Sequence, residues 1–186
     1  MNILYGGAFN PPTLAHFQIM KTLIDKFPND KIIILPSGNK YKDSKIVDFF
    51  HRYQMVKILV DKLDKKIEIS DYENKLEKFF GTYYTLKYFN NPYFVIGADQ
   101  LRDLYTWINF ENIVKENNFI VFPRDGINIE EVLNSKHLKE YKDHFLIIHF
   151  DEVDASSTDY RKNKNELIID EDVLEYIKKN RLYEVL

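Results

Sequence analysis

Short apolar runs rich in Ile, Val and Phe recur along this chain, each followed by a longer segment whose apolar residues fall three and four apart. That alternation restricts the fold more than any other feature, because it is the signature of βα units feeding a mainly parallel sheet. The strand candidates are Ile3–Tyr5, Lys31–Leu35, Lys66–Ser70, Tyr93–Ile96, Phe119–Phe122 and His144–His149. A helix from Thr13 to about Phe27 carries Phe17, Met20, Leu23, Ile24 and Phe27 on one face, and residues 48–63 repeat the pattern with Val56, Leu59, Val60 and Leu63. Further helices are expected at Gly81–Phe89, in a stretch through Trp107, near 110–117 and 129–141, at Ser156–Arg161, and at Asp170–Asn180 with Asp170 as N-cap. The segment 36–46, with Pro36, Gly38, Lys40, Lys42 and Lys45, lacks an apolar period and reads as a loop after the second strand. The chain has 186 residues, enough for one sizeable core. The expectation is a single Rossmann-like, doubly wound α/β domain over residues 1–186, with about six strands and a helical C-terminus.

Composition narrows the function. Cysteine is absent, which excludes a disulfide framework and any thiolate metal site and fits a cytoplasmic protein. No apolar stretch approaches the ~18 residues of a membrane span, and the first residues have neither the basic flank nor the length of a signal peptide. A formal charge of −3 provides no general basic field for nucleic acid. Small phosphorylated ligands, bound by locally assembled groups, are the expected partners.

In an open parallel sheet, ligands bind beyond the carboxyl ends of the strands. Gly6-Gly7-Ala8-Phe9-Asn10-Pro11-Pro12-Thr13-Leu14-Ala15-His16 follows the first strand and reads as a phosphate-binding turn opening a helix, with Thr13 and His16 on one face of its positive end. Gly97-Ala98-Asp99 follows the fourth strand and Arg124 the fifth. Ser156-Ser157-Thr158-Asp159-Tyr160-Arg161 follows the last, and could be simply a capped helix start; Arg161, four residues after Ser157, adds a guanidinium to the same helix end. Trp107, the only tryptophan, is either core packing or a platform for a flat ring. Lys40 and Lys42 are either solvated loop charges or a flexible cationic cover over an anionic site.

Together these segments resemble the nucleotidylyltransferase superfamily with its (H/T)xGH motif, and within it the bacterial nicotinate mononucleotide adenylyltransferases, essentially from end to end. Gly6-Gly7-Ala8-Phe9-Asn10-Pro11 matches GGxF(D/N)P, and Thr13-Leu14-Ala15-His16 stands at (H/T)xGH with Ala15 replacing glycine. Ser156-Ser157-Thr158-Asp159-Tyr160-Arg161 is similar to SSTxxR, and Ile96-Gly97-Ala98-Asp99-Gln100-Leu101 followed by Trp107 to IGxDxL…W. The second-strand loop lacks the Pro-His before its lysine, and Thr82 and Thr85-Leu86 keep only part of a SYTxDTL motif. The tail Val173–Ile177 with Leu182-Tyr183 also matches this branch.

The resemblance implies transfer of the adenylyl group of ATP to nicotinate mononucleotide, giving nicotinate adenine dinucleotide and pyrophosphate, in line and without a covalent intermediate. It implies catalytic roles for His16, Thr13, Lys42 and Arg161. ATP would meet Gly6, Gly7, Ala8, Phe9, Thr13, His16, Gly97, Asp99, Ser156, Ser157 and Arg161. The mononucleotide would meet Asn10, Lys42, Thr82, Trp107 and Arg124, and Mg²⁺ would arrive with ATP rather than in a dedicated protein cage. Lys40 is the alternative to Lys42. Phosphopantetheine adenylyltransferase shares the first motif and an SSxxxR-like segment, but chain length, Trp107 and the tail favour the pyridine-nucleotide branch. A non-catalytic nucleotide-binding protein of the same fold is the remaining alternative, against which the intact His16 and Arg161 argue.

Overall fold

The computed structural model describes residues 1–40, 46–63, 67–151 and 153–184. In chain order the elements are β1 (Asn2–Gly7), α1 (Leu14–Lys26), β2 (Lys31–Pro36), α2 (Phe49–Asp61), β3 (Ile67–Ile69), α3 (Tyr72–Lys75) and α4 (Thr82–Tyr88). Then follow β4 (Tyr93–Gly97), α5 (Ala98–Asp103), α6 (Phe110–Glu116), β5 (Phe119–Phe122), α7 (Ile129–Leu133), β6 (Phe145–Ile147), α8 (Ser157–Asn163) and α9 (Glu171–Lys179). Short 3-10 turns cover Leu104–Thr106, Lys139–His144 and Glu166–Ile168. The six strands form one parallel sheet in the order β3-β2-β1-β4-β5-β6, the expected doubly wound arrangement.

The described residues form two compact units, one of Met1–Gly6 with Phe80–Glu152 and one of Gly7–Phe79 with Val153–Leu186. In the first, β1 pairs with β4 (Ile3 beside Tyr93), β4 with β5 and β5 with β6. Val95, Ile96, Ile120 and Val121 are enclosed because parallel strands covered on both faces need near-continuous apolar runs. Phe119 stacks on Phe145 with ring centroids 4.8 Å apart, fixing the edge strand. In the second unit β2 pairs with β3, and α2 packs against α9. There Val173 and Ile177, four apart on α9, are buried, while Asp170 caps the helix by accepting from the backbone N–H groups of Asp172 and Val173.

Two expectations change in detail. The helix anticipated over 129–141 stops at Leu133: the Asn134 N–H still reaches the Glu130 carbonyl at 3.0 Å, a carbonyl its side chain also takes at 2.8 Å, but the Ser135 N–H turns to Val132 at 3.1 Å in a tighter 3-10 pattern. The stretch through Trp107 divides into α5 and the 3-10 turn Leu104–Thr106.

Candidate active site

In the unit that contains α1, the turn after β1 is built from the backbone outward. Phe9 adopts a left-handed φ of 47°, and its ring, 1% exposed, lies over Gly7, where a Cβ would come within 3.2 Å of the ring. Only glycine gives that ring its seat without displacement. The same ring tilts against His16 at 5.1 Å between centroids. Thr13 has extended backbone (φ −117°, ψ 174°) and starts α1. Ala15 falls inside that helix, where its methyl is compatible with the backbone.

His16 reaches back over this helix start. Its Nδ1 accepts from the Thr13 backbone N–H at 3.0 Å and lies 2.9 Å from Thr13 Oγ1. An amide N–H can only donate, so Nδ1 is the bare nitrogen and Nε2 carries the proton. The Thr13 hydroxyl gives its own proton to the Ala155 carbonyl at 2.8 Å. The result is a neutral imidazole presenting one N–H donor at the positive end of α1.

The SSTxxR-like segment is fastened to the same turn. Ser156 caps α8 through the Thr158 N–H, Ser157 Oγ donates to the Pro11 carbonyl at 2.7 Å, and Arg161 donates to the Asn10 carbonyl at 2.6 Å and to Thr158 Oγ1 at 3.1 Å. Motifs some 140 residues apart are thus joined by side-chain bonds to backbone, with two of the five guanidinium donors of Arg161 used in bracing. Asn10 is 3% exposed, and its Oδ1 accepts from Val47 N–H at 3.1 Å and from the Tyr183 hydroxyl at 2.9 Å. Burial pushes the Tyr183 phenol far above its usual range, so it stays a donor. Ser37 N–H donates to the Gly7 carbonyl, tying the end of β2 to the turn. Lys42 lies outside the described residues, and Lys40 is exposed.

The other unit gathers a second set at the carboxyl ends of its strands. Gly97 ends β4, its N–H donating to Gln100 Oε1 at 3.1 Å. A Cβ on Gly97 would fall 2.4 Å from Asp99 Oδ1, so the carboxylate occupies the space that glycine leaves. That Oδ1 is buried and, among the described residues, has no hydrogen-bond partner. Arg124 holds Nε 3.9 Å from Asp99 and 3.8 Å from Asp125, and its charge opposes the strong upward push that burial gives the Tyr5 phenol. Trp107, half-buried, closes the 3-10 turn and meets Phe94 edge-on at 6.3 Å. Thr82 starts α4 after Gly81, whose φ is 108° and whose missing Cβ would sit 4.0 Å from Ile108. Gly6 belongs to this unit as the end of its β1 segment.

Thr13, His16, Asn10, Ser156, Ser157 and Arg161 therefore converge in one unit, as do Gly97, Asp99 and Arg124 in the other. Sequence reading missed Arg52, which makes four hydrogen bonds beneath the turn, and gave Tyr183 no role. The signal for Arg52 was its place on the buried stripe of α2 with Phe49, Val56 and Leu59.

Residues 4–163 match the family model described as Cytidylyltransferase-like. A protein of Acholeplasma laidlawii named "Probable nicotinate-nucleotide adenylyltransferase" is 36% identical, covering 99% of this chain and 98% of that one. One of the same name from Clostridium acetobutylicum is 37% identical with 97% of each chain covered. A solved structure of Plasmodium falciparum nicotinic acid mononucleotide adenylyltransferase complexed with NaAD superposes with a TM-score of 0.82 and 26% identity, covering 98% of this chain and 97% of that one.

Proposed function

The chain belongs to the Cytidylyltransferase-like family, and from that membership, its full-length relatives and its site geometry we propose the reaction it performs and the part each residue takes. It is an enzyme of NAD biosynthesis that transfers the adenylyl group of ATP to nicotinate mononucleotide. An oxygen of the mononucleotide 5′-phosphate attacks the α-phosphorus of ATP. The new P–O bond forms as the bond from the α-phosphorus to the bridging oxygen breaks, and that oxygen leaves with the electron pair as part of pyrophosphate. The attacking oxygen is already anionic near neutral pH, so the step needs neither a general base nor an enzyme nucleophile.

The observation that carries the residue assignment is the bond from Thr13 N–H to His16 Nδ1. It holds Nε2–H as a fixed donor for the phosphate oxygens that gain charge in the transition state, where preorganised donors act most strongly. Arg161, Ser156 and Ser157 support the β- and γ-phosphates next to the turn they brace, and Lys42 adds charge from the second-strand loop. Gly97 and Asp99 take the ATP ribose or backbone. Trp107 stacks on the pyridine ring, Thr82 faces its carboxylate, and Arg124 and Asn10 complete the mononucleotide contacts. The nucleotide substrate is the Mg²⁺ complex of ATP, its metal held by phosphates and water. The reaction draws on the cytoplasmic ATP pool.

Pyrophosphate release from ATP, measured with nicotinate mononucleotide, nicotinamide mononucleotide and phosphopantetheine as separate acceptors, tests this reading. Turnover should be fastest with nicotinate mononucleotide. Faster turnover with phosphopantetheine, or none with any acceptor, overturns it.

A further inference from the structure

Arg52 takes no part in the chemistry above, yet it is the bulkiest fully enclosed side chain among the described residues, with 0% exposure. From α2 its Nε donates to the Val47 carbonyl at 2.6 Å and one terminal nitrogen to the Ala8 carbonyl at 2.8 Å. The other donates to the Ser37 carbonyl at 2.7 Å and to Asn39 Oδ1 at 3.3 Å. Its guanidinium carbon also lies 5.7 Å from the centre of the Phe49 ring. Enclosing a cation is costly and is offset only where good hydrogen bonds satisfy its donors. The acceptors here are three carbonyls and an amide oxygen rather than a carboxylate, so the charge is spent on orienting loop backbone.

Those carbonyls are not scattered. Ala8 lies in the turn between β1 and α1, and Ser37, Asn39 and Val47 flank the lysine-bearing loop. In a planar trans peptide the C=O and the following N–H point in opposite directions. Drawing the Ala8 and Ser37 oxygens onto Arg52 therefore turns the Phe9 and Gly38 N–H groups away from it. At Phe9 this fixes the peptide that leads into a left-handed residue. Val47 closes the circuit, since its carbonyl accepts from Arg52 while its N–H donates to Asn10 Oδ1.

We propose that Arg52 is a positioning residue for adenylyl transfer: it sets the 8–9 and 37–38 peptide planes and ties the phosphate turn to both flanks of the second-strand loop. The inference rests on the adenylyltransferase reading above. Its test compares R52M and R52K with the wild-type enzyme. R52M fills the space but takes the donor away from the Ala8, Ser37 and Val47 carbonyls, so it should melt below wild type yet stay folded at assay temperature. Its kcat/KM for ATP should nevertheless fall at least thirtyfold, with KM for nicotinate mononucleotide within twofold. R52K, which keeps the charge on a single point, should fall between them, and the ¹⁵N-labelled amide signals of Phe9 and Gly38 should move in both variants. A folded R52M with wild-type constants overturns the proposal, as does an equal rise in KM for ATP and for nicotinate mononucleotide. If neither variant folds, N39A decides it, because Asn39 is exposed and accepts the longest of the four bonds. About a threefold fall in kcat/KM for ATP alone is expected there, and none overturns the proposal. An inactive wild-type enzyme would instead remove the function reading itself.

Discussion

The imidazole of His16 has one nitrogen committed to the Thr13 backbone, so its tautomer is settled before any nucleotide binds. His16→Ala removes that donor and should lower kcat by about 10²–10³-fold, the cost of losing one oxyanion donor, with a smaller change in ATP affinity. Steady-state kinetics at saturating mononucleotide check it, and near-normal turnover would end the assignment. Trp107→Ala, at a half-buried ring that meets Phe94 edge-on, should raise KM for the mononucleotide and leave ATP binding almost unchanged. Isothermal titration with each substrate separates the two effects. At this scale the sequence was most legible where a motif forces a backbone shape, as at Gly7, which the Phe9 ring requires to be bare. It was least legible at Arg52, because an arginine within an amphipathic helix looks like a solvated charge until the acceptors around it are seen.

Among the elements, the strands were readable from short runs of Ile, Val and Phe because both faces of a parallel sheet are covered. The segment after Ile129 was not, since Asn134 and Ser135 compete locally with the helix and periodicity cannot register that contest. Helix starts carry the clearest measurable consequence. Asp48 caps α2 by accepting from Phe50 N–H at 2.9 Å, and Asn39 donates to it at 2.6 Å. The backbone bond is the main cause that holds its carboxyl below the ordinary value of 3.8. A depressed folded value means the stabilisation is present above 3.8 and disappears as pH falls through the lowered value. Asp48→Asn should therefore unfold at lower urea than wild type between pH 5 and 7, with the gap closing below about pH 3.8. A gap that stays constant with pH would show that the charge of Asp48 is not what stabilises the cap.

At the scale of the whole molecule, residue 183 closes on residue 10. Among the described residues the buried Tyr183 hydroxyl is one of two donors to Asn10 Oδ1, and Tyr183→Phe removes it while leaving the Val47 N–H in place. A lost buried hydrogen bond costs about 0.5–1.5 kcal/mol, which in a chain of this size lowers Tm by about 2–4 °C per kcal/mol. Differential scanning calorimetry reads the shift, and an unchanged Tm would mean the bond is replaced by solvent. Long-range closures of this kind leave little trace in sequence: Asn10 and Tyr183 each fall in a recognisable segment, but nothing in either segment names the other as its partner, and only the fold makes them adjacent.

Ser157 on Pro11, Arg161 on Asn10 and Thr13 on Ala155 join a turn made early in synthesis to a helix made late. A ribosome that has translated β1 through β6 has produced every strand of the sheet but only half of the phosphate site proposed above. A nascent chain at that stage holds His16 without the arginine and serines that brace its turn.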